Sequence, residues 1–509
     1  MAETASEYVV EKYFESEPSV LKGRQKLIAN KVIKTDADLL EVLSFVLPIH
    51  FKNAYEIRWL KNYDKGIQPI LNREKTVRPD INNRVVENHA HEIVEFKVGF
   101  EFGQPITYVQ RDTTTDKEEQ VNKLNEMFFN ENKPSLDQEL AENFKICGVG
   151  YRAILPNKEP DALSKFKLLN LEPENTFVVY SPDVYGKPVL AGTYYIVPED
   201  TLPGGKIYAV IYTADYIYSM EGIANPISLG ITDKEINPMG MIPIVEYVND
   251  YQRMGCFERV IPLMDMLNVV ESDRANGLSQ FVQSFIWFDN VDIDATDFDT
   301  LMDKGGIVTK STDGLQANIK AIQNQLDQSD SQSLSDNIYD MILRLTATPG
   351  REQSTGGNTG QAIMLGGSGW QLAEEAATRM EPIFKQSDRE TLRIAIHLAK
   401  QLDVGITDLT ISDIDIKFAR NKVSNLLTKT QGLLNMLQAG VHPQVAITNS
   451  DLFSDPQQVY KVSEPYLSKW LADAEAEISD DDMDIENTTE QSVAAEKPET
   501  AIEPEKAEM

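Results

Sequence analysis

The chain has 509 residues, of which 41% are hydrophobic, and a net charge of −32 at neutral pH. This length and composition predict a globular protein of about three domains. The charge argues against a protein whose main task is a tight, non-specific grip on nucleic acid, because phosphate binding depends on clustered Lys and Arg. No apolar run reaches the roughly 18 residues of a membrane helix, and the acidic N-terminal segment is unlike a signal peptide, so we expect a soluble protein without membrane contact.

The N-terminal half alternates between helical and β-type sequence. Cap-forming residues precede an apolar face over Thr35–Leu47, and a second helical segment ends at Gly66. Apolar residues at helical spacing predict a helix over Asn83–Val98. From there to Val248, short runs rich in Val, Ile and Tyr predict strands, interrupted by one helix at about Lys117–Phe129.

The C-terminal half has the pattern of two helices that carry a small module away from the body and bring the chain back. Helical sequence runs from Cys256 to Phe285, and strands are predicted at IWFD and GIVTK on either side of an acidic run. A further helix leads into a glycine-rich loop, Thr346–Trp370. A long helix then extends to about Asp403, with a kink expected at Pro382 because proline removes a backbone donor. A short strand and a small helical region follow.

The sequence predicts no enzyme activity, cofactor or metal. The glycine-rich loop lacks the Lys and the spacing of a phosphate-binding P-loop, and the acidic run lacks the Gly and Glu of a calcium loop. His89 and His91 are two positions apart, so in a helix their side chains point to different faces and are expected to pack or to face solvent. Cys147 and Cys256 are too few for a disulfide framework and are expected to be buried thiols.

The last segment, residues 471–509, holds 14 acidic residues and 2 lysines, a net charge of −12. Because it contains few large apolar residues, it is predicted to be disordered. An acidic scaffold or adaptor that binds basic partners through this tail is one function class that fits the segment. That alternative leaves the rest of the chain unexplained.

Several segments, taken in order, resemble a known family. In the N-terminal half these are NYDKGIQPILNR, the segment Asn83–Tyr108, and ICGVGYRAIL followed by NLEPENTFVVYS. The helix after Cys256 matches a DxxNxxxSDxxN pattern through Asp265, Asn268, Ser272, Asp273 and Asn276. TPGREQSTGGNTGQAI and LQAGVHPQVAITNSDLFSDPQQ follow in the C-terminal half. Together they resemble the portal proteins of tailed bacteriophages, of the type found in siphophages of Gram-positive hosts.

The resemblance implies an α+β portal fold. Its implied parts are a mixed α/β wing over 1–255, stem helices over 256–285 and 331–347, a small α/β clip over 286–330, a tunnel loop over 348–362, a long kinked helix with a wing return strand over 363–420, a helical crown over 421–470 and the acidic tail over 471–509.

The resemblance also implies a homo-oligomeric ring, commonly of twelve subunits, at one capsid vertex of the virion. Such a ring assembles in the host bacterial cytoplasm, serves as the head–tail connector, and lets double-stranded DNA pass during packaging and ejection. The implied partners are the terminase large subunit, the head-completion adaptor, and the major capsid and scaffolding proteins.

Two groups of site residues follow from the resemblance. The tunnel-loop residues expected to offer weak polar contacts to DNA phosphates are Arg351, Gln353, Ser354, Thr355, Asn358 and Thr359. The alternative is that these residues only order the loop against a neighbouring subunit. The clip residues expected to dock partner proteins are Asp289, Asp292, Asp294, Asp297 and Asp299.

Overall fold

The computed structural model combines helices and strands, which confirms the predicted α+β class. It describes residues 23–76, 79–111, 117–157, 164–199, 202–223, 228–282, 285–289, 318–322, 328–350, 368–401, 405–420, 426–450, 452–453, 456 and 458–466. The helices are α1 (Asp36–Asp64), α2 (His89–Phe102), α3 (Glu118–Asn130), α4 (Lys133–Cys147), α5 (Ile261–Val282), α6 (Gln328–Leu345), α7 (Ser368–Gln401), α8 (Leu426–Gln438) and α9 (Pro443–Ser450). None of these described helices is long and apolar enough to cross a membrane.

The strands form four sheets. They are β1 (Leu27–Ile28), β2 (Thr107–Gln110), β3 (Val149–Pro156), β4 (Phe166–Leu171), β5 (Thr176–Tyr180), β6 (Pro188–Glu199), β7 (Leu202–Tyr212), β8 (Tyr216–Ile223), β9 (Ser228–Ile236), β10 (Ile244–Val248), β11 (Phe285–Asp289), β12 (Asn318–Ile322) and β13 (Ile414–Lys417). The largest sheet has the order β1-β5-β6-β7-β8-β9, and a second has the order β10-β3-β4. Two-stranded pairs join β11 to β12 and β13 to β2. Since β13 pairs with β2, the chain returns to its N-terminal region after α7.

Helix α1 starts at a capping box and covers one face of the six-stranded sheet. The Thr35 hydroxyl accepts a hydrogen bond from Asp38 N at 3.2 Å, and the Asp38 carboxylate accepts one from Thr35 N at 2.9 Å. Such a cap contributes about 1 kcal/mol. The sequence predicts two helical segments here, but α1 is one helix that passes through Pro48. Pro48 is exposed, so water can satisfy the carbonyl group that it leaves unpaired.

Helix α4 corrects the sequence-based expectation of a single helix between the first strands. It starts at Lys133, with Pro134 in its first turn, and ends at Gly148, which has a left-handed φ of 80°. A Cβ atom at Gly148 would lie 2.2 Å from the Arg253 carbonyl oxygen, so only glycine fits. Proline near the start and glycine after the end are ordinary helix boundaries, but the β-rich sequence that follows masks them.

Helix α2 also starts later than predicted, at His89 rather than Asn83. Residues 81–88 belong to no helix or strand instead, and Asn83, Val85 and Glu87 present their N–H groups to one side, as alternate residues of an extended chain do. Side chains of α5 bind the backbone of this segment, and that tertiary contact outweighs the helical spacing of its apolar residues. Helix α5 has Pro262 in its first turn, as predicted, and α7 runs through Pro382 without a break.

The chain forms two compact units, Met1–Asn421 and Lys422–Met509. The described part of the second unit is helical, with α8, α9 and a helical segment at 458–466. Helix α8 ends at Gln438, and Gly440 in the turn that follows has a left-handed φ of 79° and donates its N–H to the Leu437 carbonyl at 3.1 Å. The acidic segment 471–509, which is predicted to be disordered, lies outside the described residues.

Candidate functional site

Most of the predicted site residues lie outside the described part of the chain. Those of the glycine-rich loop are Arg351, Gln353, Ser354, Thr355, Asn358 and Thr359, and those of the acidic run are Asp292, Asp294, Asp297 and Asp299. Asp289 is the last residue of β11, where it is paired with Asn318 of β12. The structure therefore describes the two ends of the glycine-rich segment and the helices that carry them.

The glycine-rich segment begins at a tight turn that ends helix α6. Ala347 adopts a left-handed φ of 52° and donates its N–H to the Arg344 carbonyl at 3.2 Å. Thr348 N donates to the Leu343 carbonyl at 2.9 Å, which completes a Schellman motif. The Thr346 hydroxyl lies 3.0 Å from that of Thr348. These contacts fix the direction in which the chain leaves α6.

The segment rejoins the fold next to the point where it leaves. A Cβ atom placed on Gly369 would lie 3.4 Å from Pro349 Cα, so the two ends are neighbours. One residue further on, the Trp370 ring lies 5.8 Å from the Phe96 ring and 5.9 Å from the Phe100 ring of α2, measured between centroids. This aromatic cluster attaches the start of α7 to α2. Sequence reasoning missed it, although the i, i+4 pair of Phe residues in α2 is a detectable signal.

The polar residues of the DxxNxxxSDxxN pattern bind the extended segment 81–88. Asn268 Oδ1 accepts a hydrogen bond from Glu87 N at 2.9 Å, Ser272 Oγ accepts one from Val85 N at 2.9 Å, and Asn276 Oδ1 accepts one from Asn83 N at 2.7 Å. The acceptors are spaced i, i+4, i+8 along α5, and the donors are alternate residues of an extended chain. The helix thus supplies the contacts that a neighbouring strand would supply in a sheet.

The remaining two residues of the pattern also contact the N-terminal region. Asp265 Oδ1 accepts a hydrogen bond from the Tyr63 hydroxyl at 2.9 Å, and burial raises the pKa of Asp265 to about 6. Asp273 forms an ion pair with Arg73 at 2.9 Å. The whole pattern therefore serves to position α5, and we assign none of its residues to contact with a ligand.

Helices α5 and α6 lie side by side and run antiparallel. Ser335 Oγ donates to Glu271 Oε1 at 2.6 Å, and Arg274 Nη2 donates to Gln332 Oε1 at 2.5 Å. Because the later residue of α5 contacts the earlier residue of α6, the two helices point in opposite directions. This is the geometry of a chain that runs out along one helix and back along the other.

His89 joins the start of α2 to α6. Its ring nitrogens lie 2.8 Å from Glu92 Oε2 and 3.0 Å from Glu87 Oε2, and its ring centroid is 4.6 Å from that of Tyr339. Burial lowers the pKa of His89, but the hydrogen bonds to the two glutamates outweigh it and the pKa is raised. His91 is half exposed and lies 3.5 Å from Asp64. The two histidines thus have separate partners.

A buried polar cluster anchors the middle of α7. Asp388 accepts hydrogen bonds from the Tyr108 hydroxyl at 2.8 Å and from the Tyr247 hydroxyl at 3.0 Å, and the latter lies 2.6 Å from Thr391 Oγ1. Burial raises the pKa of both tyrosines well above the usual range, so they remain neutral donors. The cluster ties α7 to β2 and β10 and keeps the helix that follows the glycine-rich segment fixed to the body.

Large apolar side chains are exposed on the antiparallel pair α5 and α6 and at the start of α7. They are Met266, Val269 and Leu278 on α5, Leu334, Met341 and Leu345 on α6, and Leu372 on α7. On α6 the spacing of seven and four residues puts all three on one side of the helix. Exposed apolar side chains that share one side of a helix are typical of a surface that another protein covers.

The described residues hold no group of three or more His, Cys, Asp or Glu side chains that could bind a metal ion. Cys147 is buried, as predicted, whereas Cys256 is only partly buried. Burial raises the pKa of the Cys147 thiol to about 12 and that of the Cys256 thiol to about 11. Both thiols are therefore protonated at neutral pH and are poor nucleophiles.

Comparison with known proteins places most of the chain in one sequence family. The profile described as phage portal protein, SPP1 Gp6-like, matches residues 43–480. A search of curated proteins finds no match. Among solved structures, a chain of the neck of an empty GTA particle, computed with C6 symmetry, is 13% identical at a TM-score of 0.41, over 72% of this chain and 90% of that one. At that TM-score the structural likeness carries no argument about function.

Proposed function

The chain belongs to the SPP1 Gp6-like family of phage portal proteins, and we propose that it forms the ring at one capsid vertex through which double-stranded DNA is packaged and later ejected. A portal protein is a homo-oligomeric structural component of the virion and not an enzyme. The chain is accordingly a capsid connector that acts in DNA packaging. A ring of twelve subunits and a siphophage of a Gram-positive host are the finer parts of the proposal.

The antiparallel pair α5 and α6 is the observation that carries this proposal. The pair is fastened to the N-terminal body through the polar pattern of α5, and it presents exposed apolar side chains for a neighbour to cover. We assign these helices to the stem, over 256–285 and 331–347. The module between them, 286–330, is the clip, and 1–255 is the wing. Residues 363–420 comprise the long helix, which would form the spine of the ring, and the wing return strand; 421–470 are the crown and 471–509 the acidic tail.

We assign the glycine-rich segment to the tunnel loop, 348–362. Its two ends are neighbours, one fixed by the Schellman motif at Ala347 and the other by the edge-on and tilted ring contacts of Trp370 with Phe96 and Phe100. Two ends that are fixed side by side suit a loop that projects into a channel. Arg351 and the polar residues that follow it would then approach DNA phosphates in the channel.

The clip residues are the proposed docking site for the terminase large subunit and, later, for the head-completion adaptor. Asp289, Asp292, Asp294, Asp297 and Asp299 give this module a run of negative charge that suits a basic partner surface. The major capsid and scaffolding proteins are the expected partners of the rest of the ring. A variant with all five aspartates changed to asparagine should form normal rings but bind terminase at least tenfold more weakly at low salt.

Negative-stain electron microscopy of the purified chain tests the proposed function. We expect rings with a central hole, and top views give the number of subunits. Purified protein that remains monomeric at every concentration and salt tested would contradict the proposal. A chain without residues 471–509 tests the acidic adaptor alternative. A portal should still form rings in the same images, whereas an adaptor without this tail should no longer bind its basic partner.

Replacement of Arg351 by Glu tests the role of the loop. We expect less DNA packaged per capsid with rings of normal appearance, because a negative side chain repels passing phosphates. Arg393→Glu is the matched control, since Arg393 is an exposed residue of α7 whose partner is Glu390 of the same helix. Equal packaging by the two variants would favour the alternative that the loop residues only contact a neighbouring subunit.

A further inference from the structure

The loop between β5 and β6 holds two large apolar side chains that are mostly in solvent. Val184 has a relative exposure of 102% and Tyr185 one of 82%, and Lys187 Nζ of the same loop lies 5.9 Å from the centre of the Tyr185 ring. An apolar pair at the tip of a loop is costly to leave exposed, since each side chain would gain free energy by burial. This pair, which we call the 184–185 tip, therefore suggests a contact with another surface.

The 184–185 tip is held rigidly by hydrogen bonds at its base. Asp183 Oδ1 accepts hydrogen bonds from Ser181 Oγ at 2.7 Å, Tyr185 N at 3.1 Å and Gly186 N at 3.0 Å. The loop is closed by Ser181 N, which donates to the Lys187 carbonyl at 2.8 Å. A tip that is already ordered loses little conformational entropy when it binds, as an insertion element should.

A cavity of about 570 Å³ lies elsewhere on the same unit, between β2, α3 and α4. Its lining includes Ile106, Tyr108, Phe128, Phe129, Lys133 and Asp137. Phe129 is 76% exposed, so an aromatic ring stands at the surface beside this cavity. We refer to the cavity as the α3–α4 pocket. Its walls are mainly apolar and aromatic, which suits an inserted apolar side chain.

Buried charged groups in the α3–α4 pocket suit a tyrosine in particular. Lys133 Nζ lies 2.6 Å from Asp137 Oδ2 and 5.1 Å from the centre of the Tyr108 ring. An aromatic ring that enters the pocket can stack with the aromatic lining, and its hydroxyl can bond to the ion pair. The charges are complementary as well, since Glu126 is an exposed lining residue of the pocket and Lys187 is exposed beside the 184–185 tip.

We propose that the 184–185 tip of one subunit inserts into the α3–α4 pocket of the next subunit of the ring. This inference rests on the proposed ring. A ring in which subunits meet head to tail needs two different surfaces on each subunit that fit one another. The tip and the pocket are two such surfaces, and the exposure of the tip shows that it does not fill the pocket of its own chain.

Two variants test the insertion, each purified as the full chain. The tip variant carries Val184→Asp and Tyr185→Asp, and the pocket variant carries Phe129→Asp. All three side chains are exposed, so both variants should fold, which circular dichroism checks. Measured by mass photometry at a concentration where the unchanged chain is mostly rings, each variant alone should form at least tenfold fewer rings. Tyr251→Asp, at a residue 81% exposed in a different loop, is the matched control and should assemble normally.

The mixture of the two variants gives the sharper result. The pocket variant still has an intact tip and the tip variant still has an intact pocket, so one subunit of each kind can join. That pair has no further intact tip or pocket, so assembly should stop at dimers. The proposed insertion would be overturned if the single variants formed rings normally or if the mixture stayed monomeric. In either case, rings formed by the unchanged chain would still support the portal function. An unchanged chain that forms no rings would overturn both.

A photo-crosslinker identifies the contact directly. With p-benzoylphenylalanine in place of Tyr185 and a second, isotopically labelled copy of the chain, irradiated rings should yield crosslinks between copies that map to residues 105–137. Crosslinks between copies that map to any other segment would overturn the proposal.

Discussion

Asn268 illustrates how one side chain decides the position of a helix. It is fully buried, and its amide both accepts from Glu87 N and donates to Gln68 Oε1 at 2.5 Å. In a buried site every polar group needs a partner, because an unpaired one costs about 1 to 3 kcal/mol. The same reasoning applies to Ser272, which is also fully buried. These side chains specify one position of α5 against the extended segment.

Truncation of Asn268 should therefore be costly. Asn268→Ala leaves the N–H group of Glu87 and the Oε1 atom of Gln68 without their partner, so the free energy of unfolding should fall by about 2 kcal/mol in urea titrations of the monomer. Asn337→Ala, at an exposed position of α6, is the control and should change it by less than about 0.5 kcal/mol. Equal losses in the two variants would show that the hydrogen bonds of Asn268 contribute nothing specific.

Asp265 predicts a dependence of stability on pH. Its pKa is about 6 in the folded chain, where burial disfavours the carboxylate, and about 4 in the unfolded chain. Between these values the folded state binds more protons, so stability falls as pH rises from about 4 to about 6. Asp265→Asn keeps an acceptor for the Tyr63 hydroxyl and removes the titration. The variant should gain about 1 to 2 kcal/mol over the unchanged chain across that window, with screening by solvent allowed for. A difference in the free energy of unfolding between the variant and the unchanged chain that stays constant from pH 4 to pH 7 would contradict this assignment.

At the scale of elements, the sequence predicts most helices and strands but not the contacts that override local preference. The stripe of polar residues on α5 is visible in the sequence, but the segment that it binds is not. That segment, 83–87, binds through the backbone N–H groups of alternate residues, and its side chains give no sign of this. For that reason the apolar spacing of Asn83–Val98 extends the predicted helix too far toward its start. Helix α4 is absent from the sequence-based prediction for a different reason. Strand-forming residues on both sides of it outweigh its own boundary signals.

The end of α6 allows a test at this scale. Ala347 has a left-handed φ, which costs a residue with a Cβ atom about 1 kcal/mol. Ala347→Gly should therefore raise the free energy of unfolding by about 0.5 to 1 kcal/mol, despite the greater freedom of glycine in the unfolded chain. The same change at Ala376, inside α7, should lower it by about 1 kcal/mol. A loss of stability in both variants would mean that Ala347 does not hold this conformation in solution.

Removal of the Trp370 ring tests the attachment of the start of α7. In Trp370→Ala the first turn of α7 loses its contact with Phe96 and Phe100, so amide hydrogen exchange of residues 369–373 should become at least tenfold faster. The middle of the helix should keep its protection, since Asp388 still binds Tyr108 and Tyr247 there. Leu372→Ala, at an exposed neighbour, serves as the control. Unchanged exchange in Trp370→Ala would show that these ring contacts do not hold the helix end.

For the whole molecule, the order of the family-like segments along the chain is more informative than any one of them. Each motif is short, but the profile match over 43–480 spans all of them and establishes the family. The sequence does not indicate which surfaces meet in the ring. In the sequence, Tyr185 and Phe129 are ordinary loop and helix residues. Only the fold shows that Tyr185 is exposed at the tip of a loop and that Phe129 is exposed at a cavity.

Net charge sets the conditions under which such a ring can form. Each subunit carries −32, so assembly brings together bodies of like charge, and their repulsion is screened over about 10 Å at 0.1 M salt but over about 3 Å at 1 M. Apolar contacts are not weakened by added salt. The fraction of chains in rings should therefore rise as NaCl is raised from about 0.05 M to about 0.5 M, measured by analytical ultracentrifugation at constant protein concentration. A chain that lacks residues 471–509, which carry −12, should form rings at lower salt than the full chain. If salt instead dissociated the rings of both, ion pairs between subunits would outweigh repulsion, and the acidic tail would have no part in limiting assembly.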